Sequence, residues 1–182
     1  MSYKKWIIIA ILLFGIGLAA GLATPAGIAD LFAEDLAALE RLSGILAPFS
    51  VLTVVLIFIK NVFAIAVSFF LSPILCLVPI LALTVNGWLI AFVSSAVVKE
   101  KSLGFLLAGL LPHGIFELPA LILGEAAALS FGTIAITALF KKERRNLLLP
   151  NLKQNSRYLM LAFTLLLPAA IIETYITPLL LT

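Results

Sequence analysis

Long apolar runs broken by short polar punctuation lay out this chain. The first run extends from Trp6 to about Ala23, follows Lys4-Lys5 and ends at Thr24-Pro25. It is near the lower limit of about 17–25 residues for a membrane span and longer than most signal-peptide cores. Although Ala-Ala-Gly-Leu-Ala resembles a cleavage site, the pattern predicts a retained first span over about 6–23. Residues 24–49 change character. Ile28, Leu31, Phe32, Leu39, Leu42, Ile45 and Leu46 recur at helical spacing among Asp30, Glu34, Asp35, Glu40 and Arg41, which predicts an external amphipathic helix over about 27–47.

From Phe49 to Val98 the chain is almost continuously apolar. A span needs about 20 residues, so two fit, over 49–71 and 74–98, with Ser72-Pro73 as the turn. Residues 103–140 are too long for one ordinary span and too short for two with a loop. Pro112, Gly114 and Pro119 fall in the first half, so a broken fourth element is expected: a half-helix or re-entrant piece, then a span. A basic segment, 141–157, leads into a last span over 158–182. The pattern thus predicts an all-α integral membrane protein. It is a single membrane domain over 1–182, a bundle of about five transmembrane helices with a broken fourth element and an external amphipathic helix. The Gly17-Leu18-Ala19-Ala20-Gly21 stretch lets two backbones approach closely, and packing against another span of the same chain is favoured over a dimer seam.

Composition agrees. The chain is 63% hydrophobic and 12% charged, about half the charged fraction of a soluble domain. The net charge of +3 is no nucleic-acid signal, since half of the twelve basic residues lie in 141–157. By the positive-inside rule, that loop and the Lys4-Lys5 end face the cytoplasm of a cell membrane, and the acidic 24–49 segment faces outward. Two full spans in 103–140 would reverse the basic loop. The lone Cys76 makes no intramolecular disulfide.

Against this background the polar residues inside the spans stand out. Lys60 and Asn61 lie in the second, Asn86 in the third, His113 and Glu117 in the fourth and Glu173 in the last, with Glu125 farther along the fourth and rotated off the His113 face. Ionisable groups are costly in hydrocarbon and mark functional-site candidates. His113 and Glu117 share a face if the backbone is helical. Pro112 suits the first turn of a new helix, which would place His113 at an electropositive start. Three readings compete. The groups could form a hydrogen-bonded network that fixes one packing of the bundle. They could form a transport or ion-handling site beside a broken helix. They could also bind a metal or perform acid–base chemistry, with His113, Glu117 and Glu173 as the ligand set for a divalent ion, the one cofactor considered. Zinc hydrolases usually present two histidines as His-Glu-x-x-His, and this chain has one histidine, which leans against an enzyme. No phosphate-binding glycine loop is present.

Four segments together are similar to the stage II sporulation protein M family of multi-pass membrane proteins. They are Asn61, Asn86-Gly87, the Pro112-His113-Gly114-Ile115-Phe116-Glu117-Leu118-Pro119 element, and Ile172-Glu173-Thr174-Tyr175-Ile176-Thr177-Pro178. The resemblance covers about 49–178 and includes the basic loop. It implies a membrane scaffold or anchor; the founding member works in a complex with two cell-wall-degrading partners during engulfment of the forespore. The partners expected are therefore the lipid bilayer, other membrane or cell-envelope proteins and a second copy of the chain, with no nucleic acid.

Overall fold

The computed structural model describes residues 3–25 and 48–181. Its described elements are all helical: α1 Tyr3–Leu22, α2 Val51–Leu71, α3 Leu77–Glu100, α4 Leu103–Phe140, a 3-10 helix Lys142–Leu147, α5 Leu148–Tyr175 and a short α6 Thr177–Leu180. Five are long and apolar enough to cross a membrane, counting the 3-10 helix with α5. The predicted amphipathic helix over 27–47 lies outside the described residues.

Small residues decide which helices touch. A Cβ on Gly17 would collide with the backbone carbonyl of Thr84, one on Gly21 with that of Trp88, and one on Gly87 with that of Phe14. These three positions form a backbone-to-backbone seam between α1 and α3, which run in the same direction. The Gly17/Gly21 pair is therefore used inside the chain. The seam ends at Trp88, whose indole N–H donates to Thr24 Oγ1 at 2.9 Å. Between α2 and α3 the chain reverses tightly at Ser72–Cys76. Ser72 Oγ donates to the Phe69 carbonyl at 2.7 Å, and Leu75 and Cys76 adopt positive φ values of 52° and 55°.

The fourth element corrects the expectation. Instead of a half-helix, a break and a span, α4 is one helix of 38 residues that contains both Pro112 and Pro119. Ser102 caps its start by accepting from the Phe105 N–H at 3.0 Å. Each proline lacks the N–H that would bond the carbonyl four residues earlier, at Ala108 and Ile115. Losing one donor at a time costs less in an apolar surround than unwinding a whole turn, which would strip several backbone groups of partners. Pro112 thus starts no new helix, and His113 does not sit at an electropositive helix end. At about 1.5 Å per residue α4 is roughly 57 Å long, well beyond a hydrocarbon core of about 30 Å. Its middle is the axis of the bundle: Gly124, Glu125, Ala126, Ala127, Ala128, Leu129 and Ser130 are all buried, so neighbours approach from every side.

The last span also begins earlier than its apolar run predicts. α5 starts at Leu148, so the second half of the basic segment is helix, and Pro150 is accommodated in its first turn. Tyr158 stacks on Tyr3 with ring centroids 3.3 Å apart and planes 1° from parallel, which brings the Lys4-Lys5 segment and the 141–157 segment to one end of the bundle.

Candidate functional site

Three helices contribute to one polar chain. Asn61 on α2 donates from Nδ2 to Glu117 Oε1 on α4 at 3.1 Å. Glu117 Oε2 lies 3.9 Å from Nε2 of His113, one turn earlier on the same face, as an unbroken helix requires. His113 Nδ1 lies 3.4 Å from Thr177 Oγ1 on α6. The His113 side chain is 14% exposed and that of Glu117 33%. Glu173 on α5 falls within electrostatic range of Glu117, His113 and Lys60. The groups singled out along the sequence thus converge, with two qualifications. Lys60 is exposed on α2 and meets the others only through the field around Glu173. Asn86 is exposed, and its Nδ2 donates to the Ala82 carbonyl of its own helix at 2.7 Å, so it bridges no helices.

A cavity of about 260 Å³ opens between α2, α3 and α4, with Asn61, Asn86, His113, Glu117 and Glu125 as its polar wall. The remaining wall is largely aliphatic, including Ile65, Ile90 and Leu166. It has room for several waters or a small hydrated solute. Glu125 marks its deep end, about 12 Å along α4 from Glu117. It is 1% exposed, and its Oε2 accepts a hydrogen bond from the Ser68 hydroxyl. Ser68 was not among the residues the sequence singled out, although it lies seven positions after Asn61 and hence on the same face of α2. Thr177 stands in the Ile172–Pro178 segment that carries the family resemblance, and the turn after α5 carries it to His113.

A second polar cluster lies at the basic end, where the sequence reading placed only a loop. Ser130 Oγ on α4 accepts from Nδ2 of Asn151 and Nδ2 of Asn155 on α5, both at 3.3 Å. Asn155 Nδ2 also donates to Asn151 Oδ1 at 2.8 Å. Asn155 is fully buried, and its Oδ1 has no hydrogen-bond partner among the described residues. A buried acceptor left unpaired costs about 1–3 kcal/mol. Beside the cluster is a cavity of about 140 Å³, walled by Trp6, Ser130, Ile134, Leu147, Asn151 and Gln154 with Pro150. Tyr3 braces the same end by donating its hydroxyl to the Leu123 carbonyl at 2.7 Å. The i,i+4 spacing of Asn151 and Asn155 would have revealed the cluster had the helix been extended through the basic segment.

Among the described residues, no group of three or more His, Cys, Asp and Glu side chains is placed so that it could hold a metal ion. Comparison with curated proteins finds no match, and comparison with solved structures finds none. The sequence profile described as stage II sporulation protein M matches residues 8–178, which takes in most of α1, the other four long helices and the hydrogen-bonding residues of both polar clusters. By that match over nearly its whole length, this multi-pass membrane protein belongs to the stage II sporulation protein M family.

Proposed function

We propose that the protein is a membrane scaffold that holds cell-envelope partners at the bilayer, with its basic end in the cytoplasm. One observation carries this reading: most of the polar side chains around the His113–Glu117 centre are engaged with the protein itself. Asn61 bonds Glu117, Glu117 faces His113, His113 meets Thr177, Ser68 bonds Glu125 and Asn86 bonds its own backbone. Such internal pairing locks helices into one arrangement, which suits an anchor that must present a fixed surface. Membership of a family whose founding member is regarded as a scaffold supports the same role, and the positive-inside rule supports the orientation.

The cavity of about 260 Å³ favours a second reading, a small transporter or ion-handling protein, because Glu117, Glu125 and His113 share its wall. Two measurements separate the two readings. A scaffold reconstituted in liposomes passes no small cation, and its Glu117→Gln variant retains the partners that cross-link to the unaltered chain in native membranes. Cation flux in the unaltered protein that disappears in His113→Ala or Glu117→Gln would overturn the scaffold and establish transport. Loss of partner cross-links in Glu117→Gln, with the fold intact, would make the polar centre part of the docking device itself.

A further inference from the structure

The cluster at the basic end is independent of the polar centre and has features that point to a ligand. Its cavity lies between the start of α1, the C-terminal half of α4 and the first turns of α5. It reaches the surface, because Leu147 in its wall is 48% exposed and Gln154 is exposed too. One side is apolar, from Trp6, Ile134, Leu147 and Pro150; the other carries the amides of Asn151 and Gln154 and the hydroxyl of Ser130. Ser130 already accepts two amide hydrogens, so its own proton remains to be donated. Directly behind this wall is the unpartnered Oδ1 of fully buried Asn155, whose amide nitrogen touches both Ser130 and Asn151. The wall therefore offers amide and hydroxyl donors next to an acceptor in need of a donor. A group that both accepts and donates, such as a hydroxyl beside a phosphate oxygen, suits that pattern better than a bare anion.

Charge at this end selects further. Lys4 and Lys5 come just before Trp6, Lys141, Lys142, Arg144 and Arg145 just before Leu147, and Lys153 and Arg157 flank Gln154 and Asn155. Glu143 is the one carboxylate within these basic segments. A tryptophan and aliphatic side chains at the end of a membrane bundle where the basic segments gather match the level of lipid headgroups. We propose that this cavity binds the headgroup of an anionic, hydroxyl-bearing phospholipid. The phosphodiester meets the amides of Asn151 and Gln154 under the field of the basic segments, a headgroup hydroxyl meets Ser130 in front of Asn155, and the glycerol backbone lies on Trp6 and Ile134. The site would couple the orientation of the bundle to the lipid composition of one leaflet, whatever the polar centre does.

The test uses the full chain in neutral detergent with Trp88→Phe, which leaves Trp6 as the one indole. Titration with phosphatidylglycerol should give a saturable change in Trp6 fluorescence near one lipid per chain, and phosphatidylcholine should not. Gln154→Leu should weaken binding roughly three- to tenfold, the loss of one hydrogen bond. Should that variant fail to fold, Lys5→Gln and Lys153→Gln, both at exposed positions, serve instead and should each weaken binding roughly fivefold. Equal binding of phosphatidylcholine, or unchanged binding in all three variants, would overturn the proposal. So would an equal response to soluble glycerol phosphate, which would make this a site for free phosphate esters rather than a lipid site. Native mass spectrometry showing a retained phosphatidylglycerol that Gln154→Leu or the two lysine variants release would support it.

Discussion

The helix α4 carries two polar regions about 20–25 Å apart along its axis, and the two differ in their exposure to water. Around His113 and Glu117 the side chains remain partly exposed and the partners are reciprocal; the Glu117 carboxylate is a third exposed, so solvent can replace a lost hydrogen bond. Around Ser130 and Asn155 burial is nearly complete, and one acceptor is unpaired. Polarity in a membrane bundle is thus tolerated by two routes, self-satisfaction beside a wet cavity or confinement with a group left for something else. The first route is forgiving of substitution. The second makes the stability of the buried cluster depend on what occupies its cavity.

The largest expected effect tests whether the two regions fail separately. Gly17→Leu drives a side chain into the Thr84 backbone and should push α1 off α3, and with it Trp6, which walls the basic-end cavity, and Tyr3, which braces that end. Overpacking of this kind costs about 1–3 kcal/mol or more. Thermal unfolding in detergent should fall accordingly, while a cross-link between cysteines introduced at Asn61 and Glu117 should still form in the folded fraction; loss of that cross-link would show the regions are coupled through the seam. Next is Ser68→Ala, which leaves the 1% exposed Glu125 without its hydroxyl donor and should destabilise by about 1.5–3 kcal/mol. An unchanged unfolding temperature would mean that water in the adjoining cavity takes over the bond. Asn61→Leu, at the more exposed end of the same cavity, should cost only about 0.5–1 kcal/mol by the same measurement, and a cost equal to that of Ser68→Ala would show that exposure does not set the cost of losing a partner there. The smallest effect belongs to Cys76, in the turn outside both regions. Burial pushes its thiol up from the ordinary range, with a weaker opposing contribution from Thr133, so little thiolate forms at neutral pH. Alkylation should be slow near pH 7 and accelerate only above the usual thiol range; fast neutral labelling would place the turn in water.

Much of the architecture was legible because hydrophobicity in a bilayer is nearly a one-dimensional code. Apolar runs of about 20 residues predict spans without knowledge of neighbours, and the first three helices fall close to their expected limits. Basic residues at 4–5 and 141–157 on one side of the membrane required an even number of crossings between them, which the four helices α1–α4 and the Tyr3–Tyr158 stack satisfy. The expectation about α4 failed for a definite reason. Proline penalties come from water-solvated helices and local sterics, whereas a surround without competing donors keeps the rest of the ladder intact around Pro112 and Pro119. The start of α5 was hidden by the same habit of equating charge with loop: Lys153 and Arg157 sit on a helix whose other faces carry Asn151 and Asn155 inward.

Charge placement, span lengths and the Gly17/Gly21 spacing are local properties, so the chain alone set the membrane class, the count of crossings and the capacity of α1 for close packing. Which helix would receive those glycines was a choice among neighbours that only the fold made, in favour of α3. Tertiary packing likewise separated Glu125 from Glu117 by giving it Ser68, joined His113 to Thr177 across the final turn, and buried Asn155 with an acceptor to spare. Partners of that kind depend on the rotation and depth of whole helices, quantities that hydropathy along a chain does not encode.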